Sequence, residues 1–273
     1  MEPAYLDDRA VLALAGPDAR NFLQGLITND IERLAPNTGL YAALLSPQGK
    51  MLFDFFLCEG DGALLLDCAA EASEALLKKL RLYRLRAKVE IEPRPQLGVY
   101  VNLAGHPANR PTPYSARAVT FPDPRLEALG SRSIGAVAEM PAGLAGPAAY
   151  HAARRALGVP ESGDFGFEKV FALEAGLEEL HGVSFTKGCY IGQELTSRMK
   201  HRATTRKRLL PLAGSSPLPA PGAAITQNGA VIGELISAHG RDGFAAIRLD
   251  RRGPGPALAG EIPVALTEPA WLA

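Results

Sequence analysis

Apolar positions along the chain follow two textures that change near residue 206. Before it, helical and strand periods mix. Val11 to Ala15 alternates weakly as a short strand. Gly16-Pro17-Asp18 opens a helix, with proline tolerated and an acid favoured in the first turn, and Phe22, Leu23, Leu26 and Ile27 recur at helical spacing. Thr28-Asn29-Asp30 is read as its end. Residues 40 to 68 read as a three-stranded meander, Tyr41 to Leu45, Met51 to Cys58 and Ala63 to Cys68, with a type I turn at Ser46-Pro47-Gln48-Gly49. These strands are apolar at nearly every position, so both faces of their sheet are expected to be covered. Asp54 interrupts the run and faces either a cavity or a sheet edge, with the edge taken as the default.

Glu71 to Leu85 is an amphipathic helix with Leu76, Leu77, Leu80 and Tyr83 on one face. Arg86 to Glu92 then alternates as a half-buried strand with Ala87, Val89 and Ile91 inward. Leu97 to Ala104 and Ala116 to Phe121 are further strands, broken by the Pro-rich segments HPANRPTP and FPDP. A helix from about Ala148 to Leu157 stops at Gly158 and Pro160.

Beyond Arg206 short strands follow one another without helices: Arg208 to Leu212, Ala223 to Thr226, Val231 to Ala238, Phe244 to Leu249 and Ile262 to Thr267. Asn228-Gly229 is a strong hairpin signal among their turns. Such a series predicts a small closed sheet. The domain boundary is set there, giving residues 1–206 and 207–273.

Composition adds little to this picture but excludes some classes. The chain of 273 residues has 29 basic and 29 acidic side chains, and 47% of it is apolar, as in an ordinary globular protein. Zero net charge gives no global pull toward nucleic acid or membrane. No apolar run is long enough to span a bilayer. The opening MEPAYLDDRAV shows neither a signal nor a transit pattern, and Cys58, Cys68 and Cys189 are odd in number and far apart. Both features lead to the expectation of a cytoplasmic protein with free thiols, and a monomer is expected. Local charge is less even: residues 78 to 88 hold six basic side chains and no acid, read as a solvated helix face, and residues 198 to 208 hold six more.

Candidate chemistry concentrates in residues 182 to 208, GVSFTKGCYIGQELTSRMKHRATTRKR. Gly188 and Gly192 bracket Cys189 in a turn ahead of a helix beginning at about Ile191, and Lys187 lies two residues away. Positive charge and a helix N-terminus favour a thiolate, so Cys189 is a candidate nucleophile or metal ligand with Lys187 beside it. On residues alone, a buried structural cysteine is the alternative.

The octapeptide from Lys187 to Glu194, with Gly182-Val183-Ser184-Phe185 before it and Arg198, Lys200 and His201 after it, resembles the KGCYxGQE signature of the YgfZ family. Those are folate-binding proteins of iron–sulfur cluster maturation, related to the aminomethyltransferase of the glycine cleavage system. The resemblance implies an α+β fold: a folate-binding, aminomethyltransferase-like domain of mixed sheets with helices, then a small C-terminal β-barrel. It implies tetrahydrofolate as ligand, with contacts from Arg9, Asn29, Asp30, Tyr150, Arg154, Tyr190, Gln193 and Glu194. Arg198, Lys200 and Arg202 would meet the glutamate tail. Under that resemblance Cys189 either holds a cluster iron shared with another chain or a small thiol, since one cysteine cannot hold a cluster alone, or makes a transient thiol adduct. Assembly proteins and cluster-dependent client enzymes become the expected partners, with no membrane and no direct RNA contact.

Three other functions compete. A folate-dependent aminomethyl transferase needs a proton-transfer acid, for which Asp67, Asp54 and Asp30 are conceivable. An RNA-binding factor in tRNA modification would use the basic run from Arg198 to Arg208, although that run lacks interleaved aromatics. A thiol redox enzyme would need a resolving cysteine at close spacing, and the sequence offers none.

Overall fold

Alternating apolar runs build two sheets in the first part of the chain. The computed structural model describes residues 3–103, 118–140, 143–201 and 206–272. Its elements are, in order, β1 (Ala4–Leu6), β2 (Arg9–Ala15), α1 (Ala19–Gln24), β3 (Leu40–Leu45), β4 (Met51–Gly60), β5 (Ala63–Ala69), α2 (Ala70–Arg84), β6 (Glu90–Pro93), β7 (Leu97–Asn102), β8 (Val119–Pro122), β9 (Ser131–Ala136), α3 (Pro147–Ala156) and α4 (Gln193–His201). The barrel strands are β10 (Lys207–Gly214), β11 (Ala224–Gln227), β12 (Ala230–His239), β13 (Asp242–Arg248), β14 (Ala257–Ala259) and β15 (Ile262–Leu266).

The chain divides into two compact units, each assembled from separate stretches. The first takes Met1–Leu44, Phe53–Ala153 and Leu180–Ile191, and the second takes Leu45–Leu52, Arg154–Glu179 and Gly192–Ala273.

In the first unit the five-stranded sheet runs β3-β4-β5-β2-β6 and the four-stranded sheet β1-β7-β9-β8. Period two sends Leu12, Leu14, Phe55, Leu57, Leu64 and Leu66 to one face of the larger sheet. There they pack with Leu23 and Ile27 and with Leu76 and Leu80 of α2. Arg9, Tyr41, Asp54, Phe56 and Asp67 take the alternate positions, and all five are buried too. Both faces are therefore covered, as the unbroken apolar runs predict. Asp54 is a correction: β4 lies between β3 and β5, so this carboxylate is not at an edge. It sits 3% exposed and accepts a 3.2 Å hydrogen bond from the Tyr41 hydroxyl. The helix expected to run to Thr28 stops at Gln24, because Thr28 and Asn29 are drawn into bonds with other segments. The strand expected from Arg86 begins only at Glu90. The HPANRPTP segment lies outside the described residues.

In the second unit six strands close in the order β10-β13-β12-β11-β14-β15, with β15 returning to pair with β10. Leu210, Leu212, Ile225, Ile232, Leu235 and Ile247 fill the interior. Asn228 and Gly229, both at positive φ, make the tight β11–β12 hairpin that the dipeptide announces.

Candidate functional site

The cysteine loop is held by side chains that donate to main-chain carbonyls. Thr28 Oγ1 donates to Gly182 O at 2.7 Å and accepts from Ala43 N at 2.8 Å. Asn29 Nδ2 donates to Tyr41 O at 2.8 Å and to His181 O at 2.7 Å, and Ser184 N donates to Thr28 O. Lys187 turns inward. Its Nζ donates to Ile27 O and Asn29 O, both at 2.8 Å, and lies 5.1 Å from the centre of the Tyr190 ring. Burial pushes this ammonium down to about 8, with the Asp30 carboxylate pulling the other way. Asp30 itself accepts from Gln24 Nε2 at 2.7 Å and from Glu32 N.

Between these anchors Gly188 and Cys189 are exposed, and Cys189 is a free thiol. A Cβ on Gly188 would meet nothing within 4 Å. The loop thus buries Lys187 and Tyr190 and presents the thiol between them. Cys58 and Cys68 differ: burial, chiefly, raises both thiols to about 12, so neither is nucleophilic near neutrality. Among the described residues no three His, Cys, Asp or Glu side chains gather into a metal site.

Arg9 and Tyr150 meet in a second constellation of the first unit, a buried ionic cluster. Arg9 Nε reaches Asp67 Oδ1 at 2.6 Å and Arg132 Nη1 reaches Asp67 Oδ2 at 2.7 Å. Arg125 pairs with Asp123 at 2.8 Å. Arg125 and Arg132 both donate to the Tyr150 hydroxyl at 2.7 Å. All three guanidiniums stand over the Phe56 ring, at 5.6, 4.6 and 3.9 Å from its centroid. Desolvated cations over an aromatic face gain from its quadrupole, and the aspartates neutralise two of them. The sequence reading passes over Arg125, Arg132 and Asp123. Asp123 falls in the Pro-rich FPDP segment and Arg125 just after it, while Arg132 is flanked by serines, so no apolar pattern marks any of the three.

The remaining candidates lie in the second unit. Arg154 is buried, 2.5 Å from Asp164 Oδ2. Gln193, Glu194, Arg198 and Lys200 line α4, where Arg198 pairs with Glu194 and Lys200 with Glu178. Arg202 lies outside the described residues. Gly192 precedes α4 at φ +82°, and a Cβ there would meet Ser46 O at 2.7 Å, so the second glycine of the motif is required by close approach.

The backbone is that of an aminomethyltransferase-like protein carrying a CAF17-type barrel. Glycine cleavage system aminomethyltransferase T from Bartonella henselae is similar with a TM-score of 0.75, covering 100% of this chain and 86% of that one at 15% identity. The model of the CAF17 C-terminal beta-barrel domain matches residues 206–273. The sequence is 37% identical to the mitochondrial iron-sulfur cluster assembly factor IBA57 of Mus musculus, over 91% of this chain and 78% of that protein. It is 36% identical to that of Homo sapiens, over 97% and 84%. The chain belongs to the IBA57 family of iron–sulfur cluster assembly factors. The YgfZ resemblance is right at the breadth of the wider family, and these relatives specify the branch. They also overturn the cytoplasmic expectation, because they are mitochondrial proteins. That expectation rested on missing signals, and a missing signal carries no address.

Proposed function

We propose that this chain binds tetrahydrofolate and serves iron–sulfur cluster assembly, presenting Cys189 to a cluster shared with an assembly protein or a client enzyme. Residues 1–206 would form the folate-binding domain and residues 207–273 the barrel. The observation that carries the reading is the exposed Cys189 thiol, on a loop pinned through Lys187 to the carbonyls of Ile27 and Asn29. A thiolate is the ligand iron–sulfur centres take, and an exposed one is open to a second chain. The relatives' role in cluster assembly supports the same reading.

For folate the residue types suit a pterin, which takes flat apolar contact and ionic hydrogen-bond partners: Tyr41, Phe56 and Tyr150 are of the first kind, and Arg9 and Asp67, buried and paired with each other here, would exchange that pairing for the ring. Bound folate would supply a one-carbon carrier; these residues would hold and orient its ring. Asn29 and Asp30 would support the wall.

Tetrahydrofolate should raise the melting temperature of the purified chain. Cys189→Ser should keep that shift yet fail to restore cluster-enzyme activity in a deletion strain. Full rescue by Cys189→Ser would remove the thiolate role, and a melting temperature indifferent to folate would remove the ligand.

A further inference from the structure

Helix α2 buries Leu76 and Leu80 and turns its other side to solvent. On that side Lys78 and Leu82 lie one turn apart, and Leu85 follows at the C-terminal cap. Leu82 is 68% exposed and Leu85 87%. Two exposed leucines so close together are already unfavourable, and Leu85 adds a backbone cost. Its φ of 47° with ψ of −107° puts a branched side chain where glycine is usual. Around this tip stand Lys78, Arg81, Arg84, Arg86 and Lys88, all exposed, with half-buried Lys79 against the Tyr83 ring. Arg81 and Arg84 donate to Ile91 O and Val89 O, which lays both guanidiniums along the adjoining backbone. The acids nearest in sequence are the exposed Glu74, Glu90 and Glu92, the last paired with Arg94, and Asp18 accepts from Lys88 N; none interrupts residues 78 to 88.

We propose that this leucine-tipped, basic end of α2 docks on an anionic lipid bilayer. Phosphate headgroups match the ring of cations, and lysine and arginine stems can lie along the interface while their charges stay in the headgroup layer. Leu82 and Leu85 then enter the acyl boundary, as the apolar residues of interfacial helices do. A nucleic acid would satisfy the cations and leave the leucines in water, and the half-buried Tyr83 offers no open face for stacking. An acidic protein surface would need a recess shaped to two protruding leucines, whereas lipid deforms to receive them. The surface lies on one helix of the first unit and is independent of the folate and cysteine readings.

The test is co-sedimentation of the full chain with phosphatidylcholine vesicles, alone or mixed in equal parts with phosphatidylglycerol. Binding is expected to the mixed vesicles only and to fall with added salt. Leu82→Ser with Leu85→Gly should weaken it by about tenfold or more, from lost apolar burial alone. Leu85→Gly also relieves the positive φ, so the melting temperature should hold or rise, which separates lost docking from lost folding. Lys78→Glu with Arg86→Glu should abolish binding. Equal binding to both vesicles, no binding to the mixed ones, or indifference to the leucine changes would overturn the proposal. So would tighter binding to tRNA or polyglutamate that depends on the cations and ignores the leucines.

Discussion

Asp67 shows how much one buried carboxylate can organise. It has no exposed surface, and its two oxygens face two guanidiniums, Arg9 and Arg132, at 2.6 and 2.7 Å. Arg132 continues to the Tyr150 hydroxyl, which also takes a bond from Arg125. A charge taken out of water is costly unless its partner comes with it, so removing the partner is worse than never burying the pair. Asp67→Asn keeps the shape and deletes the charge between two buried cations. Denaturant unfolding should therefore lose about 3–5 kcal/mol, the range for breaking a buried ion pair. A loss below about 1 kcal/mol would mean that Asp123 and the Phe56 ring compensate the arginines without Asp67. The cysteine loop works differently: Lys187 and Asn29 bond main-chain carbonyls, so they fix where the loop runs and leave Cys189 exposed.

At the scale of elements, Asp164 ties three pieces of the second unit. It sits in the 3-10 turn Ser162–Phe165, faces Arg154 near the end of α3, and accepts 2.7 Å bonds from Ser237 and His239 of β12. Burial alone would raise its carboxyl; the bond from His239, the Arg154 charge and the bonds from Ser237 and Arg154 outweigh it and hold the group at about 2. A carboxyl at ~4 when unfolded and lower when folded binds fewer protons in the native state. Its stabilisation is thus complete above pH ~4 and fades as pH falls toward 2, worth about 2–3 kcal/mol over that span. Asp164→Asn should flatten the acid limb of the stability–pH curve between those values. An unchanged limb would show that other carboxylates govern acid unfolding. Elements with a clear period are legible in the sequence: α2, the β3–β4–β5 meander and the Asn228-Gly229 hairpin all stand where their patterns put them. Strands β1, β9 and β14 are not, because β1 and β14 span three residues each and β9 breaks its apolar alternation with Arg132. The ionic cluster is hidden for a related reason. Arg9 and Arg132 meet Asp67 across 58 and 65 residues, and pairing at such separations leaves no local trace. The cysteine loop is legible only because its string of residues is distinctive, not because of any period.

Across the whole molecule, chain order and compact unit do not coincide. The texture change near residue 206 marks the start of the barrel, yet the second unit also takes in Leu45–Leu52 and Arg154–Glu179. Those earlier stretches hold the barrel through specific bonds. Arg208 donates to Leu173 O at 2.7 Å and pairs with Glu179, Leu209 N donates to Glu174 O, and Trp271 Nε1 donates to Leu157 O. Trp271 also lies over Gly176, where a Cβ would come within 2.7 Å of its ring. A fragment of residues 206–273 keeps all six strands and its apolar interior but loses every one of these partners. Each lost hydrogen bond is worth about 1 kcal/mol net, so the fragment should be less stable than the same barrel in the full chain by roughly 3–5 kcal/mol. Native-state hydrogen exchange at the Leu210 and Leu212 amides, compared between fragment and full chain, measures that difference directly. Faster exchange in the fragment by two to four powers of ten, written as about 10²–10⁴-fold, is the expected result. Equal protection would mean that strand pairing and the apolar interior alone set the barrel's stability, with residues 154–179 adding no support.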